Sequence, residues 1–90
     1  MTGKRVILNN GTILENAEAG YADGFLWIWF DGTMQQAAEL FLDPANTSVI
    51  TFQYGEMQDV YEGYTDCTVI KASADGTLSV CMTKGADNNV

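Results

Sequence analysis

The sequence predicts an α+β domain: a curved antiparallel sheet of about six strands, or a half-open barrel, packed on one helix in the order β-β-β-α-β-β-β. Three observations predict it. Short apolar runs are punctuated by Asn-Gly and Asp-Gly pairs, which suit hairpin turns. A single stretch, Thr33 to Asp43, combines helical spacing with a cap. After it, Ile50, Phe52 and Tyr54 alternate with Thr51 and Gln53, as a strand with one buried face does. The 90 residues fit one domain. Residues 1–84 carry the pattern, and 85–90 are expected to be a disordered tail.

The first element is a hairpin. Val6, Ile7 and Leu8 precede Asn9-Asn10-Gly11-Thr12, and Ile13 and Leu14 follow. If Asn10-Gly11 is a two-residue type I′ loop, Leu8 faces Ile13 and Ile7 faces Leu14. Gly20 to Gly24 then breaks the pattern. The run Phe25-Leu26-Trp27-Ile28-Trp29-Phe30 has no polar alternation, so it reads as a central strand covered on both faces.

Asp31-Gly32 ends that strand, and Thr33 with Gln36 has capping-box spacing. Met34, Ala37, Ala38, Phe41 and Leu42 form one apolar stripe, expected to face the sheet. Pro44 disfavours helical geometry at Asp43 and stops the helix.

The rest reads as strands. Gly55-Glu56 permits a turn, and Gly63 suggests a bulge in the long segment from Met57 to Ala72. Asp75-Gly76 reads as a second I′ turn, pairing Val69 with Met82 and Lys71 with Val80. The face carrying Val69, Leu78, Val80 and Met82 should meet the core. In that register Cys81 opposes Ile70 and Cys67 opposes Lys84, on opposite faces. No disulfide between Cys67 and Cys81 is therefore expected.

Composition narrows the function classes. Twelve acids against four bases give a net charge of −8, which repels nucleic acid and anionic membranes. No apolar run approaches the length of a membrane span, and the N-terminus lacks a signal-peptide core, so a cytoplasmic protein is expected. The chain has no histidine, which removes the commonest acid-base group and any Ser-His or Cys-His pair. No phosphate loop occurs. Two cysteines alone make a poor zinc site, so no metal or other cofactor is expected. Glu56, Asp59, Glu62 and Asp66 read as a solvated edge that deters strand pairing. The Asp-Gly pairs at Asp23, Asp31 and Asp75 read as turns.

Aromatic residues carry the remaining signal. Tyr54, Tyr61 and Tyr64 lie close together in sequence, and Trp27 and Trp29 share one strand. These five are the candidate interaction surface, because large amphipathic rings are enriched at interfaces.

The segments Val6-Ile7-Leu8-Asn9-Asn10-Gly11-Thr12-Ile13-Leu14-Glu15-Asn16, Gly20-Tyr21-Ala22-Asp23-Gly24, Phe52-Gln53-Tyr54-Gly55 and Val60-Tyr61-Glu62-Gly63-Tyr64-Thr65 resemble small proteins encoded among prophage tail and structural genes of Gram-positive gut bacteria. The resemblance implies a virion-related or assembly-related role, with no known active site to carry over. The expectation is a non-enzymatic structural or protein-interaction module that binds a partner protein or itself. The alternative is a small-ligand or metal-binding domain using the acidic and aromatic surface of residues 54–66.

Overall fold

Chain turns and strand alternation divide residues 3–85, those that the computed structural model describes, into eight strands and two short helices. The strands are β1 (Lys4–Ile7), β2 (Ile13–Glu15), β3 (Glu18–Ala22), β4 (Phe25–Asp31), β5 (Val49–Tyr54), β6 (Met57–Glu62), β7 (Asp66–Ala72) and β8 (Thr77–Thr83). Between β4 and β5 lie α1 (Met34–Phe41) and α2 (Pro44–Thr47). The expected tail, from residue 86 onward, lies outside the described residues. Gly85 is described, and its backbone N–H donates to the Gly63 carbonyl at 2.9 Å.

The single sheet on one helix, and the half-open barrel, are both overturned. The strands form two four-stranded antiparallel sheets, ordered β2-β1-β5-β6 and β3-β4-β8-β7. Two local features make the difference. Glu18–Ala22, where the sequence signalled only a break, is a strand paired with β4 through a two-residue Asp23-Gly24 turn. Both turn residues are left-handed, with φ of 53° and 87°, which is type I′ geometry. Gly63, with φ of 85°, is a corner and not a bulge: there the chain leaves β6 in the first sheet for β7 in the second. The bulge falls at Thr68, where the register shifts between Cys67 and Val69.

Two hairpin registers differ from expectation by one residue, for one reason. Ile7 opposes Ile13 and Val6 opposes Leu14; Lys71 opposes Ser79 and Ile70 opposes Val80. Both loops hold three residues. Gly11 and Gly76 alone are left-handed, with φ of 91° and 93°, following a tight turn closed by Gly11 N–H on Leu8 and Gly76 N–H on Ser73. Asn10 Oδ1 and Asp75 Oδ1 accept from the amides of Thr12 and Thr77, at 2.9 and 3.0 Å. A one-residue slip exchanges the faces of a strand. Val6 and Leu14 consequently meet inside, while Ile13 is exposed.

The core is one cluster fed by both sheets and α1. Val6, Leu14, Ile50 and Phe52 come from the first sheet; Leu26, Ile28, Phe30, Leu78, Val80 and Met82 from the second. Val69, expected among them, is exposed. Thr33 caps α1 as expected, its Oγ1 accepting from the Gln36 amide at 3.0 Å. The apolar stripe is narrower than expected. Ala37 and Phe41 are buried, with Phe41 packed on Phe30 at 5.6 Å between ring centroids. Met34 and Leu42, at the two ends of this eight-residue helix, are exposed, and Leu40 packs on the core in their place. Pro44 ends α1 and opens α2, whose N-cap Asp43 accepts from the Ala45 amide. Asn9 then ties the β1–β2 loop to α2 through Asn46 and Ala45.

Candidate functional site

The chemistry on offer follows from which face each residue takes. In β4 the parity is strict: Leu26, Ile28 and Phe30 point into the core, so Phe25, Trp27 and Trp29 line the outside of the β3-β4-β8-β7 sheet. The strand is central, as expected, between β3 and β8. It is covered on one face only, which corrects the sequence reading. An all-apolar strand hid its alternation because both faces are apolar.

Directly paired residues in an antiparallel sheet share a face, so the register maps this surface. One row across the four strands reads Gly20, Trp27, Cys81, Val69. The next reads Glu18, Trp29, Ser79, Lys71. Trp27 and Trp29 stack with planes 11° apart and centroids 6.4 Å apart. The Trp29 ring leans over the bare backbone of Gly20. Trp29 stays 36% exposed, Val69 38% and Phe25 44%. The result is an aromatic ridge along β4 beside a low lane of Ser79 and Cys81 on β8.

The other candidate residues do not join this surface. Tyr54 and Tyr61 lie on the inner side of the first sheet, half-buried against the core. Tyr64, in the connection between β6 and β7, is buried edge-on between Tyr21 and Tyr61, each 6.0 Å away. Lys84 Nζ sits 5.3 Å from the Tyr64 ring centroid. Tyr54 donates its hydroxyl to Asp59 at 3.1 Å. That hydrogen bond, with some burial and the Asp59 charge, raises the Tyr54 pKa. Burial raises those of Tyr61 and Tyr64. These three phenols are neutral packing and hydrogen-bonding groups, not proton carriers near neutral pH.

The four acids from 56 to 66 are dispersed. Glu56 is in the β5–β6 turn, Asp59 opposes Phe52 on the inner side of β6, Glu62 opposes Val49 on the outer side, and Asp66 belongs to the second sheet. Among the described residues no three carboxylates or cysteines gather as metal ligands. Asp59 is an inward charge on an edge strand, a device that hinders edge-to-edge pairing.

Both cysteines are free thiols. The expected absence of a disulfide holds, through a different register: Cys67 opposes Met82, and Cys81 opposes Val69 beyond the bulge. Cys81 is buried, on the outer row that also holds Trp27. Burial raises the pKa of Cys67, against a weaker lowering by a backbone hydrogen bond at Val69, so its reactive thiolate is disfavoured.

Sequence reasoning found the two tryptophans and missed Phe25, Gly20, Val69, Glu18, Ser79 and Lys71. The signal for Phe25 was its i, i+2 spacing from the tryptophans. The rest become neighbours only through strand pairing. Among the described residues no helix is long and apolar enough to cross a membrane. Comparison with known proteins finds no match: no family model, curated protein or solved structure is similar to this chain.

Proposed function

We propose that this chain is a non-enzymatic protein-interaction module whose contact surface is the outer face of the β3-β4-β8-β7 sheet. One observation carries the reading. Stacked, part-exposed indoles sit at the centre of that face, supported from below by Gly20 and flanked by exposed Phe25 and Val69. Covering such rings is favourable by about 25 cal/mol for each Å² of apolar surface removed from water. Central tryptophans also dominate many interfaces energetically. The resemblance to prophage tail-region proteins implies a role of the same kind, in assembly.

The acidic and aromatic surface of residues 54–66 supports a ligand-binding reading less well. Its tyrosines and Asp59 are already engaged with one another, and its acids point to different faces.

A photo-crosslinking amino acid placed at position 29, with position 60 on the outer face of the other sheet as control, tests the reading in the native host. Protein adducts from position 29 and none from position 60 are expected. Adducts from position 60 alone, or from neither, would overturn it.

A further inference from the structure

We infer that the occupant of the tryptophan face is a second copy of the same chain, docked about a two-fold axis that runs along the strands between β4 and β8. The inference rests on the proposed contact surface and names its partner. The two rows that hold the tryptophans are self-complementary in shape and in charge about that one axis. Such a two-fold, laid between two facing sheets, places β4 of one copy over β8 of the other, and β3 over β7, with rows kept in step.

In one row, Trp27 then meets Cys81 of the second copy, and Gly20 meets Val69. In the next, Trp29 meets Ser79, and Glu18 meets Lys71. Within these two rows each tryptophan and Val69 faces a small residue, and Glu18 faces Lys71; the flanking rows of the same face add Asp31, paired with Thr77, and Asp66, paired with Thr83. The contacts repeat reciprocally. Facing sheets pack with strand directions about 30° apart. That twist moves edge residues by a few ångströms, within the reach of Glu and Lys side chains.

The charges support this choice of occupant. Lys71 is exposed and has no ion-pair partner among the described residues, whereas Lys4 pairs with Glu18 at 2.6 Å and Arg5 approaches Glu15 at 3.9 Å. Lys4 bonds Glu18 through Oε2, leaving Oε1 for a second cation. The outer face of the β2-β1-β5-β6 sheet offers no such match. Its row Glu15, Arg5, Gln53, Gln58 spends its two charges on each other.

The face is three strand spacings wide, about 14 Å between outer backbones. It therefore falls short of the roughly 800 Å² per partner of a standard interface. The dimer belongs to the weak class, and its dissociation is read over a concentration series.

Sedimentation equilibrium of the full chain, from about 10 μM to about 1 mM at physiological salt, is the test. A monomer–dimer equilibrium is expected. Glu18→Lys and Lys71→Glu each set like charges together and weaken it by about tenfold or more. Mixing the two variants, or combining them in one chain, restores it, because both reciprocal pairs are then opposite in sign. Trp29→Ala abolishes the dimer with circular dichroism unchanged, and Val60→Glu on the other sheet has no effect. A monomer at all concentrations, or a dimer indifferent to the charge swaps, overturns the inference. The position-29 crosslinker separates the two levels. A self-adduct supports both; an adduct with a different protein keeps the contact surface and overturns the second copy as its occupant; no adduct overturns both.

Discussion

The indole of Trp29 lies across the backbone of Gly20, so closely that a side-chain carbon added at Gly20 would stand 3.3 Å from the ring. Glycine inside a strand forfeits side-chain packing, and here the ring of a cross-strand neighbour restores it. The two residues are diagonal: Gly20 pairs directly with Trp27. Gly20→Val would push the ring outward and break its stack on Trp27. Tryptophan emission should shift to the red and iodide quenching should rise. Stability should change by no more than about 1 kcal/mol, because the ring can move into solvent. Unaltered quenching would show that the ring does not rest there.

Phe41 and Leu42 separate the real helix stripe from the one that spacing implies. Phe41 is fully buried on Phe30, and Leu42 is 58% exposed. Phe41→Ala should cost about 3–5 kcal/mol. Leu42→Ala and Met34→Ala should each stay within about 0.5 kcal/mol. Urea denaturation of the three variants checks this. A large loss at Leu42 would mean that the helix is rotated from the arrangement described.

Thr47 is fully buried, and its Oγ1 has no hydrogen-bond partner among the described residues. A buried, unsatisfied hydroxyl costs about 1–3 kcal/mol. Thr47→Val keeps the shape and removes that cost, so it should raise the unfolding free energy by about 1 kcal/mol. Thr47→Ser keeps the hydroxyl, loses the methyl and should lower stability. Equal stability of wild type and Thr47→Val would reveal a partner for the oxygen.

The fold was legible where the signal is local. Thr33 and Gln36 announce the helix start, Asp23-Gly24 makes a turn, and Ile50, Phe52 and Tyr54 face inward as their alternation implies. Division into two sheets was not legible, because it depends on which strands meet across long loops. Glu18–Ala22 has weak strand propensity and gains its ladder from β4. Gly63 looks the same in sequence whether it bulges a strand or turns the chain into another sheet. The candidate site was half legible. The tryptophans stand out by type, but their sharing of a face with Glu18 and Lys71, and not with Tyr54, Tyr61 or Tyr64, follows from pairing alone.

The two three-residue loops supply a built-in control for a pH effect. Asp75 and Asn10 occupy equivalent positions, each accepting from the amide two residues on, but only Asp75 titrates. Hydrogen bonds from Thr77, the backbone amide first, hold the Asp75 carboxyl below the usual aspartate value. A carboxylate whose pKa is lower folded than unfolded stabilises the fold above the unfolded value and loses that contribution as pH falls through the folded value. The β7–β8 loop should therefore loosen on acidification past the ordinary aspartate range, while the β1–β2 loop stays as it is. Followed by NMR, the Thr77 amide should shift with a midpoint below that range, and the Thr12 amide should show no matching step. Asp75→Asn should abolish the Thr77 titration while keeping the turn, because the amide oxygen still accepts. A Thr77 midpoint at or above the usual aspartate value would mean that the loop does not favour the charged carboxylate.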